Sequence, residues 1–269
     1  MTDGRKIYFA SDLHLGTPDY DTSLRREKLF VKWLDMVSAD ADEIFLVGDT
    51  FDFWHDYKTV VPKGFVRLLG KLAELSDRGI KLHIFTGNHD LWFNGYFERE
   101  LGAKVYSAPI ERTIDGKLFF IGHGDGLGPK DHGYKFIKKI FTNPVCQWLF
   151  RWIHPDLGIK LASYLSYRSR YSNGGHELEK FLGEDKEWLV QYCKRLMERK
   201  PYDYFIFGHR HLPLDIEIKG RGTHHGGQAR DEGQVRYINL GDWLDYNSYA
   251  VWDGEKLELK YYKEEDQKG

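Results

Sequence analysis

One short pattern recurs five times along this chain. An apolar, strand-like run ends, a small residue follows, and cation-binding side chains come next. Ile7-Tyr8-Phe9-Ala10-Ser11 precedes Asp12-Leu13-His14, and Ile44-Phe45-Leu46-Val47 precedes Gly48-Asp49-Thr50-Phe51-Asp52. Leu82-His83-Ile84-Phe85-Thr86 precedes Gly87-Asn88-His89-Asp90, and Leu118-Phe119-Phe120-Ile121 precedes Gly122-His123-Gly124-Asp125. Tyr204-Phe205-Ile206-Phe207 precedes Gly208-His209-Arg210-His211. Runs of this kind read as buried strands. In layered α/β folds, sites are built at the C-terminal ends of strands. The expectation is that the five exits meet and hold metal.

The donors at the exits are Asp12, His14, Asp49, Asn88, His123, His209 and His211. They offer oxygen and imidazole nitrogen with no thiolate, a set that suits Mn²⁺, Fe, Zn²⁺ or Mg²⁺. They are too many for one tetrahedral ion but fit two if a carboxylate bridges. Two ions ~3.5–4 Å apart can hold both the attacking and the leaving oxygens of an in-line displacement at phosphorus. Asp52, Asp90 and Asp125 stand one step further out, where a carboxylate can hold a ligand imidazole or cap a turn. His55, His83, His132, His154 and His176 read as structural or surface residues, since the donor set is already full. His224-His225 lie in a glycine-rich stretch that reads as a solvated loop.

Between the exits, apolar residues at helical spacing predict helices over 24–37 (Leu29, Phe30, Trp33, Leu34, Val37) and 65–75 (Phe65, Leu68, Leu69, Leu72, Leu75). Gly79 closes the second as a left-handed cap. These helices alternate with strands at 7–10, 44–47 and 82–86, the sign of an α/β topology. Short strands follow at 105–107, 110–114 and 118–121, the last two joined by the hairpin turn Asp115-Gly116. A helix is expected over 184–200. Strands are expected at 204–207, 214–218, 236–240, 248–252 and 257–262, with Asp253-Gly254 turning the final hairpin. The charged tail from Glu264 is expected to fray.

The stretch from Gly126 to about Leu182 does not read as core. Pro144 and Pro155 interrupt a run rich in Phe, Trp and Ile, and eight Lys/Arg between Lys130 and Arg170 face only two acids. The whole chain of 269 residues carries a formal charge of −2, so this basic, aromatic insertion is a local feature. Cys146 and Cys193 are far apart and in no CxxC pattern, so no disulfide framework or zinc–thiolate site is readable, and the pattern fits a reducing compartment. The N-terminus is polar, and no apolar run approaches the roughly 18 residues a membrane span needs. Neither a signal peptide nor a span is therefore expected.

Taken together, Asp12-x-His14, Gly48-Asp49-x-x-Asp52, Gly87-Asn88-His89-Asp90, Gly122-His123-Gly124-Asp125 and Gly208-His209-x-His211 resemble the five motifs of the calcineurin-like metallophosphoesterases. The resemblance implies a four-layer α/β sandwich, two mixed sheets flanked by helices. Its core would be 1–126 and 183–263, with a helical lid at 127–182 and a frayed tail at 264–269. It implies that Asp12, His14, Asp49 and His211 bind one divalent ion, and that Asp49 bridges to a second held by Asn88, His123 and His209. Mn²⁺ is the first expectation, with Fe or Zn²⁺ possible. Asn88 and His89 would be the catalytic pair, His89 giving a proton to the leaving group or orienting phosphate.

Asp-Leu-His-Leu-Gly at 12–16, Gly-Asp-Thr-Phe-Asp-Phe-Trp at 48–54, His-Gly-Asp-Gly at 123–126 and Gly-His-Arg-His-Leu-Pro at 208–213 resemble the UDP-2,3-diacylglucosamine diphosphatase branch, which acts in lipid A synthesis. This implies cleavage of the pyrophosphate of a UDP-linked diacyl sugar at the cytoplasmic face of the inner membrane, with no nucleic acid or protein partner. Asn88, His89, Asp125, Arg168 and Arg170 are then the expected substrate contacts. Well-known members of that branch carry Arg where this chain has His89. Two alternatives stand beside it: a phosphoesterase for nucleotides, diesters or monoesters, and a non-catalytic binding module on the same fold.

Overall fold

The computed structural model describes residues 5–128, 138–172, 180–220 and 233–264; at 167–172, 220, 233 and 234 only the backbone is described. Two mixed sheets form the centre. The first, in the order β11-β10-β1-β2-β3-β4, contains β1 (Lys6–Ala10), β2 (Ala41–Val47), β3 (Lys81–Phe85), β4 (Lys104–Tyr106), β10 (Ser248–Trp252) and β11 (Leu257–Tyr261). The second, in the order β5-β6-β7-β9-β8, contains β5 (Ile110–Ile114), β6 (Lys117–Ile121), β7 (Tyr204–Phe207), β8 (Pro213–Gly220) and β9 (Gly233–Leu240). β1 to β4 run parallel, as do β6, β7 and β9, so the exits of neighbouring strands lie on the same side.

Strand parity decides which side chain enters which layer. Ile7, Phe9, Phe45, Val47 and Phe85 meet Ile114, Phe119, Ile121, Ile206 and Ile238 between the sheets. The alternate residues Tyr8, Ala10, Ile44 and Leu46 face the helices α1 (Tyr20–Val37), α2 (Val66–Asp77) and α3 (Tyr96–Leu101). On the other side Phe120, Phe205 and Phe207 pack on α6 (Trp188–Met197) through Leu189, Val190 and Cys193. This is the expected four-layer sandwich. A bidentate ion pair also crosses the sheets: Arg112 on β5 reaches Glu43 on β2 with both N–O distances at 2.6 Å. His83 stacks on Phe45 and bonds the same carboxylate at 2.8 Å, a structural role as expected.

Several boundaries differ from the periodicity. α1 begins at Tyr20 because Asp19 caps it, accepting from the Thr22 amide at 2.8 Å; its first turn is polar and carries no apolar stripe. α6 begins at Trp188 rather than 184, after a turn in which the Glu187 amide donates to Gly183. α3 is a six-residue helix too short to show a period.

The insertion contains α4 (Pro144–Phe150) and α5 (Pro155–Ser172). The two prolines that read as interruptions are the first residues of these helices, where a missing N–H costs nothing. Asn143 caps α4, accepting from the Val145 amide at 2.8 Å. The aromatic run divides between two environments. Phe150 enters a box of Phe53, His55, Tyr57 and Trp92 from the core, and the Trp92 indole donates to the Phe141 carbonyl at 2.7 Å. Trp148, Leu149 and Trp152 stay exposed, Trp152 at 76%. Among the described residues, no helix is long and apolar enough to cross a membrane.

Candidate metal centre

The turns after β1, β2, β3, β6 and β7 come together through their backbones. The loop after β1 laces to that after β2 by Asp12 N–H to Gly48 O at 3.1 Å and His14 N–H to Asp49 O at 2.9 Å. The His89 amide donates to Asp49 Oδ1 at 2.8 Å, and the His209 amide to Asp12 Oδ2 at 2.9 Å. Asp12, His14, Asp49, His209 and His211 all have left-handed backbones, with φ of 56°, 45°, 50°, 68° and 52°. Such a conformation costs a non-glycine residue of order 1 kcal/mol and persists where surrounding structure enforces it. The glycines before three of the motifs are equally constrained. A Cβ on Gly48, Gly87 or Gly208 would overlap His123, Asp49 or Asp12 respectively.

Three groups of donor atoms result, each with its atoms within 4.8 Å of one another: Asp12, His14 and His211; His14, Asp49 and His89; Asp49, His123 and His209. Asn88 joins the third, its Oδ1 lying 3.2 Å from His123 Nε2. All the metal-ligand candidates named from the sequence are thus brought to one place. The rings are held from behind. His123 Nδ1 donates to the Val47 carbonyl at 2.9 Å, leaving Nε2 toward Asp49 Oδ2 at 3.2 Å. His211 Nδ1 bonds Asp242 at 3.1 Å, leaving Nε2 to face His14 Nε2 at 3.2 Å and Asp12 Oδ1 at 3.4 Å.

This arrangement fits a divalent cation. Asp12 Oδ1 is fully buried and accepts no hydrogen bond among the described residues, while two imidazole nitrogens face it. A buried carboxylate oxygen with imidazole nitrogens converging on it at 3.4 and 3.7 Å suits a bound cation. The electrostatics agree. Burial opposes charge on His123, yet Asp49 and Asp12 override it and hold the imidazolium up to about 10. Burial would raise Asp12, but His211 and His123 bring it down to about 2. His209 is pushed down to about 4 by burial and then by His123.

The outer carboxylates divide in role. Asp52 Oδ1 lies 3.7 Å from His14 Nδ1 and 3.6 Å from His89 Nδ1, behind both rings. Asp90 holds no imidazole among the described residues. It accepts the amides of Gly87 at 2.7 Å and Phe51 at 3.2 Å, a turn cap, and burial followed by the nearby Asp49 raises it to about 7. Asp125 is paired with Lys138 from the insertion. Arg168 and Arg170 fall on α5, but their side chains lie outside the described residues, as do His132, His176, His224 and His225.

Sequence reasoning missed Asp242 and Asn239. The Asn239 amide donates to the Gly208 carbonyl at 2.6 Å, steadying the last exit. Both belong to a sixth instance of the same pattern, Ile238-Asn239-Leu240 before Gly241-Asp242, so the signal was present. Ser166, which bonds His89, had none, because its partner comes from a distant element.

The calcineurin-like phosphoesterase family profile matches residues 5–213. A UDP-2,3-diacylglucosamine hydrolase of Porphyromonas gingivalis is 40% identical over 269 aligned residues, spanning 95% of this chain and 97% of that protein. Proteins of the same name from Ectopseudomonas mendocina and Hahella chejuensis are 28% and 26% identical, over 93% and 96% of this chain and 95% and 98% of theirs. With its donors gathered at the strand exits of a two-sheet sandwich, the chain belongs to the calcineurin-like phosphoesterase family.

Proposed function

We propose that this protein is a two-metal pyrophosphatase that cleaves UDP-2,3-diacylglucosamine into UMP and 2,3-diacylglucosamine 1-phosphate. The observation that carries the reading is the intact donor constellation around Asp49, in a chain colinear over nearly its whole length with a protein of that name. Asp12, His14, Asp49 and His211 would hold one ion, and Asp49, Asn88, His123 and His209 the other. Mn²⁺ is the proposed ion, and Fe or Zn²⁺ suits the same donors. A bound pair supplies Lewis acidity that activates water and draws charge from the phosphoryl oxygens.

The chain's own groups do the rest. Asp242 and the Val47 carbonyl fix the His211 and His123 rings, so the donor nitrogens need no reorganisation. Asn88 and His89 contact the phosphate, and His89 holds a proton for the departing oxygen or orients the group. Asp125, Arg168 and Arg170 are proposed as further substrate contacts. A cavity of about 680 Å³ opens between the core and α5; Leu15, Leu24, Phe53, Phe65 and Ile159 line it and Asp52 borders it. Its apolar walls suit an acyl chain, with the insertion as a lid. The exposed Val145, Trp148, Leu149 and Trp152, with the basic Lys139, Arg151 and Lys160 on the same insertion, suit contact with an anionic membrane surface. We place the protein at the cytoplasmic face of the inner membrane.

Mn²⁺-loaded protein is expected to release UMP from UDP-2,3-diacylglucosamine, and Asp49→Ala to lose both activity and bound metal. Cleavage of an aryl phosphodiester without UMP release would reject the glycolipid. Failure on both, with metal content unchanged in Asp49→Ala, would leave a binding module.

A further inference from the structure

Most of the metal centre is built from the core, but the insertion sends a hydroxyl into it. Ser166 on α5 lies with Oγ 2.7 Å from His89 Nδ1, and it donates to Asp52 Oδ2 at 3.2 Å. Asp52 and His89 are both nearly buried, with side-chain exposures of 11% and 13%. The other oxygen of Asp52 backs His14, whose ring meets His89 edge-on at 4.8 Å. One residue of the insertion therefore ties together side chains from the first, second and third exits.

The proton count in this relay gives a direction. A serine hydroxyl has one hydrogen, and an ionised carboxylate can only accept. Once the hydrogen is committed to Asp52, Oγ can only accept from His89, so Nδ1 must carry a proton. The ring is then held with Nδ1 turned to Ser166 and Nε2 as the nitrogen left for substrate. Asp52 Oδ1 itself stands 3.6 Å from Nδ1, and Ser166 Oγ bridges the two side chains.

We propose that Ser166 is a positioning residue for His89, so that seating the insertion on the core completes the site by fixing the orientation of that ring. This rests on the hydrolase reading and on His89 acting at the phosphate. The insertion's seat is a separate contact, the aromatic box around Phe150. A serine that only helped to dock α5 would act on stability and on binding, and its effect would not pass through His89.

The test uses the full, Mn²⁺-loaded chain and bis(p-nitrophenyl) phosphate, a substrate too small to report on the acyl cavity. Ser166→Ala is expected to lower kcat by about 10–100-fold, the usual effect of removing a partner behind a functional imidazole. KM should move by no more than about 3-fold, since the contact serves the transition state. Ser166→Thr should restore most of the rate, and Ser166→Ala should cost nothing further in a His89→Ala background. Histidine ¹⁵N spectra of the Mg²⁺-loaded protein should show a hydrogen-bonded, exchange-protected His89 Nδ1–H in the wild type that is lost in Ser166→Ala. Unchanged kcat in Ser166→Ala, an effect on KM alone, or additive losses with His89→Ala would overturn the proposal. So would a wild-type spectrum with Nδ1 unprotonated, which needs no variant to fold. A wild type inactive on both diester and glycolipid removes the hydrolase reading and this proposal with it; an active wild type with an indifferent Ser166→Ala removes this proposal alone.

Discussion

His55 shows how a residue outside the chemistry can set the working range of the protein. Its ring is fully buried among Tyr57, Trp92 and Phe150, and Nε2 has no hydrogen-bond partner among the described residues. Burial, and then the nearby Arg151, push its pKa down from 6.5 to about 4. The unfolded chain therefore takes up the proton first as pH falls. Stability from the neutral ring is complete above pH 6.5 and is lost as pH drops toward 4. Urea midpoints measured across that window should fall more steeply for the wild type than for His55→Phe; parallel slopes would reject the assignment. At this scale the metal donors were legible because each sits beside a small residue after an apolar run. Asp52, Asp90 and Asp125 were legible as outer carboxylates but not as individuals. Whether a carboxylate backs an imidazole, caps a turn or meets a lysine depends on neighbours that arrive from elsewhere in the chain.

Among the elements, the insertion is the one whose behaviour follows from a single side chain. Phe150 is half-buried in its aromatic box, and the face of α4 beyond it is exposed. Phe150→Ala should therefore cost about 2 kcal/mol, roughly half of what a fully buried phenylalanine costs. The loss should be local: proteases should cut within 138–172 faster while the global unfolding midpoint moves little. A single lowered transition with no new cleavage would instead mean that insertion and core unfold as one. The strands were readable from sequence because burial on both faces makes them continuous apolar runs. Helix starts were not, since Asp19, Asn143 and the two prolines act through backbone geometry rather than through a repeating apolar stripe.

At the scale of the whole molecule the two sheets are joined by apolar packing and by the Arg112–Glu43 pair. Glu43 is buried, and burial alone would raise its carboxyl, but His83 and Arg112 hold it well below the usual range. Arg112→Met should destabilise the fold by about 3 kcal/mol by leaving that charge without its main partner. Adding Glu43→Leu should recover much of the loss, because the pair itself is replaceable by packing. Denaturant titration of both variants decides the matter, and a double variant no better than the single would reject it.

The pairing of the sheets has a second consequence. Asp12, His14, Asp49 and Asn88 hang from one sheet, while His123, His209 and His211 hang from the other. The gap between them is set by the thickness of the layer of Phe9, Phe45, Val47, Ile121 and Ile206. That layer acts as a gauge block, and the donor spacing is machined to it. A side chain shortened there changes the width of the jaws without touching a single tooth.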